Sequence, residues 1–281
     1  MPETSQIVHL YEDQISIKFY SKKHQYFRRI NKYPVIYFDG EKEIQSPLEP
    51  SSAGSDLSNE TWVKLTSTTG ITSSALDKPF LYNWLVDVTA KEFKKRMKAG
   101  VTLDEAESKA KGARWKAMRK GGNIGTETHQ WINEFILFLM EKGDKPSILG
   151  LTADAKRCIE GFLEWYDKYV EQPLHTELIV YHPGLDIVGT LDLIFKNKEG
   201  ELEIVDFKTG NSINPGDVMQ LAFYRKTFAL QHKKMPDVAT IVHLHKDGTK
   251  ATPLRSLDHD ANMIAFECGH YLVSWRDTLS I

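Results

Sequence analysis

The chain has 281 residues, enough for one large domain or two small ones, and its 41% hydrophobic and 26% charged content is that of an ordinary globular protein. A net charge of −2 does not by itself mark a nucleic-acid binder, and no apolar run approaches the roughly 18 residues that a membrane-spanning helix needs. Two cysteines, Cys158 and Cys268, exclude both a disulfide framework and the four thiolates of an iron–sulfur cluster.

The opening Met1-Pro2-Glu3-Thr4-Ser5 lacks the basic and apolar blocks of a secretory signal, and early acidic residues argue against a transit peptide. The expected location is intracellular, in the cytoplasm of a bacterium or of a phage-infected host. Ile15, Ile17 and Phe19 alternate with more polar neighbours, and Val35-Ile36-Tyr37-Phe38 precedes the turn Asp39-Gly40, so the first forty residues are expected as short strands. Gln45 to Asn59 is rich in Ser, Pro and Gly and is expected as an exposed loop. This divides a β-rich N-terminal extension (1–60) from a main domain (61–281).

Helical spacing then dominates. One helix is expected over Ser74–Met97 and a second, basic one over Leu103–Lys120, with Gly121-Gly122 breaking the chain. Two more follow over Thr126–Lys142 and Thr152–Val170. Strands are expected at Thr176–His182 and Asp186–Phe195, joined by Pro183-Gly184, and at Leu202–Phe207. A loop (Thr209–Asp217), a helix (Val218–Lys233), a hairpin (Ala239–Leu254) and a last helix (Asp260–Asp277) complete an α/β organisation.

Charge is distributed unevenly along this plan. From Lys91 to Lys120 eleven basic residues face four acidic ones, a local excess of seven positive charges that includes Arg114, Lys116, Arg119 and Lys120. A shorter basic and aromatic run lies at Lys22–Arg29. Either could be no more than a solvated face, but beside a phosphodiester-cleaving site the first becomes a candidate phosphate contact.

The chemistry concentrates in Gly189-Thr190-Leu191-Asp192 and Glu203-Ile204-Val205-Asp206-Phe207-Lys208-Thr209-Gly210. Antiparallel pairing across the turn at Asn197–Gly200 can bring Asp192 and Asp206 together. Asp206 and Lys208 lie two apart, so on a strand they share a face. Converging carboxylates call for a cation between them, and hard oxygen ligands suit Mg²⁺ or Mn²⁺. A lysine on that face can orient or deprotonate a water, or neutralise charge building on a phosphate.

Four blocks in order, Gly125-Thr126-Glu127-Thr128-His129, Gly189–Asp192, Asp206–Gly210 and Gln220-Leu221-Ala222-Phe223-Tyr224, resemble the RecB-like branch of the PD-(D/E)XK nucleases. Thr68–Ile71 through Leu76–Pro79 is similar to the start of phage exonucleases of that branch, and Leu191 stands where the family name has proline. The resemblance spans about residues 65 to 230. It implies a restriction-endonuclease-like core, a central mixed sheet flanked by helices, with a helical DNA-binding region. It also implies His129, Asp192, Asp206 and the backbone carbonyl of Phe207 as metal ligands, with Lys208 acting on the attacking water. Gln220 and Tyr224, four apart on one helical face, would contact the DNA backbone. Glu177 is a candidate outer-shell or second-metal group.

The absent cysteine quartet leaves the cluster-free members, of the phage and mitochondrial-genome-maintenance type. The expected activity is a Mg²⁺- or Mn²⁺-dependent DNA exonuclease acting on single- or double-stranded ends, in recombination, repair, replication or degradation. Recombination or replication proteins are candidate partners, and no membrane is expected. A structure-specific or single-strand endonuclease is the near alternative. A catalytically silent DNA-binding or recruitment protein on the same scaffold is the alternative outside enzymes.

Overall fold

A computed structural model of the chain describes residues 5–20, 24–32, 35–39, 42–48, 62–256 and 258–279. Most of the expected Gln45–Asn59 loop, and Lys22, Lys23 and Gly40, lie outside them.

The first strands are β1 (Ser5–Leu10), β2 (Ile15–Tyr20) and β3 (Gln25–Ile30), an antiparallel meander, followed by the hairpin β4 (Ile36–Asp39) and β5 (Lys42–Gln45). β6 (Val63–Lys64) returns to pair with β3, and β7 (Thr66–Ser67) leaves this sheet for the main one. Four helices come next: α1 (Thr68–Ala75), α2 (Pro79–Lys98), α3 (Leu103–Leu139) and α4 (Ala153–Tyr169). Then follow β8 (Val170–His182), β9 (Ile187–Asn197), β10 (Leu202–Lys208), α5 (Pro215–His232), β11 (Val238–His243), β12 (Thr252–Arg255) and α6 (His259–Thr278).

The main sheet runs β12-β11-β10-β9-β7, with β8 on the opposite edge of β9. It is mixed, because α5 carries the chain across to set β11 parallel to β10, whereas β8, β9 and β10 are antiparallel. Helices cover both faces. Trp131, Ile132 and Ile136 of α3 and Phe162 and Trp165 of α4 pack on Leu193, Phe195, Val205 and Phe207. Leu221, Phe223 and Phe228 of α5 and Phe266 of α6 pack on Ile194, Ile204 and Ile241 from the other side. This is the central mixed sheet between helices expected from the sequence.

Three local expectations are corrected. Gly121-Gly122 does not break the chain: α3 runs unbroken for 37 residues. Each glycine costs a helix about 1 kcal/mol, which packing on both sides outweighs. Ala106 and Ala110 are buried before the pair, and Ile124, Thr128 and Ile132 after it. The helix expected from Ser74 is two, because Leu76–Lys78 leave helical geometry before Pro79 restarts it at its first turn. β8 begins at Val170 rather than Thr176 and tolerates Pro173 at an edge, with register shifts beside it.

The N-terminal strands share a core with the main sheet. Leu10, Ile15, Ile17, Tyr26 and Val35 pack with Ile179, Tyr181 and Val188. Polar ties reinforce the joint: Arg28 Nε donates to Asp186 Oδ1 at 2.9 Å, and Ser46 Oγ donates to the Pro183 carbonyl at 2.6 Å.

Candidate active site

Strand register sets three carboxylates in one row. Thr176 pairs with Leu193 and Leu178 with Leu191, so Glu177 lies opposite Asp192. On the other edge Val205 pairs with Leu193, and the next step along the strands sets Asp206 beside Asp192. β10 and β7 share that edge of β9, with the Gly189–Asp192 segment between them. Glu177 has φ of 50°, a left-handed backbone inside a strand, which is strain of the kind that collects at functional sites.

α3 brings His129 over this row. Its Nδ1 stands 3.3 Å from Asp192 Oδ1, and the donor atoms of His129, Glu177 and Asp192 all lie within 4.8 Å of one another. Asp192 Oδ2 accepts the Phe207 backbone N–H at 2.6 Å, which fixes the carboxylate from the far side.

The electrostatics show what such a row resists. Burial, then the charge on Asp192, pushes the Glu177 carboxyl up to about 7. Burial also raises Asp206 to about 6, with Asp192 adding to it and Lys208 opposing. Burial disfavours the charged form of Asp192 too, but His129 beside it holds its carboxyl below the usual range. His129 is lifted to about 9, since Asp192 and Glu177 outweigh the burial that works against its charge. One imidazole nitrogen and crowded carboxylate oxygens, drawn from three elements, are a donor set that fits a divalent cation.

Lys208 is held by a second network. Its Nζ lies 2.6 Å from Asp206 Oδ2 and 3.9 Å from Asp217 Oδ1, and it donates to Gln220 Oε1 at 3.0 Å. Gln220 Nε2 in turn donates to the Tyr224 hydroxyl at 2.7 Å and to Thr69 Oγ1 at 3.2 Å. Tyr224 reaches this position because β9 carries no side chain at Gly189, where a Cβ would fall 2.4 Å from the tyrosine ring.

The expected residues are therefore distributed as follows. His129, Asp192, Asp206 and Lys208 converge, but the tightest donor cluster takes Glu177 where Asp206 was expected, and Asp206 turns toward Lys208. The Phe207 ring is in the core against Phe162 and Trp165. Gln220 and Tyr224, expected to contact the DNA backbone, are 6% and 2% exposed, and their hydrogen bonds run to each other and to Lys208. Arg114, Lys116, Arg119 and Lys120 are exposed on α3. Lys120 is nine residues from His129, about 14 Å along the helix, and its Nζ is 3.4 Å from Asp154. No role was assigned to Thr69 or Asp217: Thr69 lies in the Thr68–Ile71 segment of the resemblance and Asp217 ends the expected loop, and neither position says what its side chain will meet.

No helix among the described residues is long and apolar enough to cross a membrane. No curated protein sequence matches the chain. Among solved structures it is similar to SSO0001, at 14% identity over 54% of this chain and 74% of that one, with a TM-score of 0.28. It is also similar to LHK-Exo in complex with dAMP, at 12% identity over 57% of this chain and 92% of that one, with a TM-score of 0.25. The sequence profile of the PD-(D/E)XK nuclease superfamily matches residues 113–267, more than half of the chain, from the basic stretch of α3 into the first half of α6. The chain belongs to the PD-(D/E)XK nuclease superfamily.

Proposed function

We propose that the protein is a Mg²⁺- or Mn²⁺-dependent DNA exonuclease of the cluster-free RecB-like branch, leaving a 5′-phosphate and a 3′-hydroxyl. The observation that carries this reading is the row Glu177–Asp192–Asp206 with His129 above it and Lys208 at its end. His129, Glu177 and Asp192 would hold the cation, with Asp206 beside them. A bound divalent cation supplies Lewis-acid polarisation of a phosphodiester and acidifies water. Lys208, fixed by Gln220, presents its ammonium to the water or to the charge that grows on the phosphate. Gln220 and Tyr224 act through Lys208 as positioning residues. The basic side chains of α3 from Arg114 to Lys120 guide the phosphate backbone toward the row. The setting would be DNA recombination, repair, replication or degradation.

The test uses end-labelled and covalently closed circular DNA, single- and double-stranded, with Mg²⁺, Mn²⁺ or EDTA. Linear DNA is degraded with either metal, EDTA and Asp206→Ala abolish the activity, and circles survive. Cut circles would assign an endonuclease, and activity in EDTA would sink the metal mechanism.

A further inference from the structure

The last helix, α6, has two apolar faces. Through Met263, Phe266, Gly269 and Val273 it packs on the body of the protein, and the missing side chain at Gly269 lets Ala75 of α1 approach. The opposite face carries Ile264, Cys268, Tyr271, Leu272 and Trp275, continued by the C-cap residue Leu279, whose backbone is still helical, all exposed. Tyr271 is 69% exposed and Ile264 61%, so these are not grazing exposures. No described element covers this face. Together these side chains present on the order of 500 Å² of apolar surface, as large as the largest patch a monomer usually shows.

Their spacing identifies the occupant. The steps between successive members are four, three, one, three and four residues, a pattern that reads the same from either end. We propose that α6 pairs antiparallel with α6 of a second copy, about a two-fold axis passing between Tyr271 and Leu272. Ile264 then meets Leu279, Cys268 meets Trp275, and Tyr271 meets Leu272, each apolar residue opposite an apolar one. An isologous contact demands this self-complementarity, whereas a foreign partner does not. Two such faces bury about 1,000 Å², the threshold for a specific interface before any polar rim is added. Glu267 and Arg276, nine residues apart and thus on opposite flanks of the stripe, supply that rim. The stripe contains none of the residues placed in the active site.

Sedimentation equilibrium of the full chain, from about 1 to 100 µM, is expected to give a dimer. Trp275→Glu and Tyr271→Glu should each weaken it by about 100-fold, as central aromatic residues of an interface do. Circular dichroism and thermal melting check that these variants fold. A second measurement reads geometry rather than affinity: at the highest protein concentration, Trp275→Cys sets a thiol opposite Cys268 of the second copy, and mild oxidation should trap the pair as a covalent dimer. The wild type should not cross-link, since antiparallel pairing leaves the two Cys268 about 10 Å apart along the helix, beyond disulfide reach. A monomer at 100 µM, a larger assembly, a dimer indifferent to both glutamates, or wild-type cross-linking through Cys268 would each overturn the proposal.

Discussion

Asp192 is the residue on which the site's contacts converge. Glu177 and Asp206 flank it, His129 stands 3.3 Å away, and the buried N–H of Phe207 depends on it as acceptor. Asp192→Asn keeps the shape and removes one charge, so a fall in kcat of about 10³-fold or more is expected in single-turnover cleavage of labelled DNA. Asp192→Ala should in addition lower stability by about 1–3 kcal/mol in urea denaturation, because the Phe207 N–H is left unpaired. Gln220→Leu separates two roles. If Gln220 positions Lys208, kcat falls about 10- to 100-fold with DNA affinity unchanged, whereas a weakened Kd would mean direct DNA contact. The closeness of Asp192, Asp206 and Lys208 was legible because a strand has period two and a short turn dictates antiparallel pairing, and the four-block resemblance marked them as a site. Glu177 was only half legible, since its place in the cluster depends on a left-handed backbone that no residue type announces. Helical spacing likewise joined Gln220 to Tyr224, yet period alone does not say whether a shared face looks outward or inward.

Under the proposed function, α3 is the element that would link substrate contact to chemistry. Its first half carries Arg114 to Lys120, and its second half carries His129 and the core residues Trp131, Ile132 and Ile136. Reading Gly121-Gly122 as a break separated those two halves. Propensity argued for it, and tertiary packing on either side overrode it. Neither glycine is needed for close approach, because a Cβ at either position meets no atom within 4 Å. Both lie inside a continuous helix, with backbone angles alanine adopts freely. Replacing both with alanine is therefore expected to stabilise the protein by about 1–2 kcal/mol, seen as a raised urea midpoint. A lowered midpoint would show that the pair has a packing role in the folded chain. The nuclease rate of the same variant reports whether a stiffer α3 hinders the passage of DNA.

At the scale of the whole molecule, the N-terminal strands and the main sheet meet around the turn between β8 and β9, and His182 sits at that joint. Its ring lies 6.1 Å from Tyr37 of β4 and 6.1 Å from Phe223 of α5, and its Nδ1 accepts the backbone N–H of Gly184 at 3.2 Å. Burial first, then the neighbouring Lys226, pushes its pKa down to about 4, so the folded protein holds it neutral. The unfolded chain, with an ordinary histidine value near 6.5, binds a proton that the folded chain refuses between those two limits. The stability His182 contributes is thus complete above about pH 6.5 and is lost as the pH falls through about 4, up to about 3 kcal/mol. His182→Asn keeps an acceptor for the Gly184 N–H but cannot take the proton. In urea denaturation at pH 7, 6, 5 and 4, its stability should decline less steeply than that of the wild type, and the gap between the two should close toward acid. Parallel curves would mean that His182 is not the group that titrates at this joint. Because the joint holds the N-terminal strands on the sheet, protection of their amides from hydrogen exchange should weaken over the same pH interval in the wild type and less so in the variant.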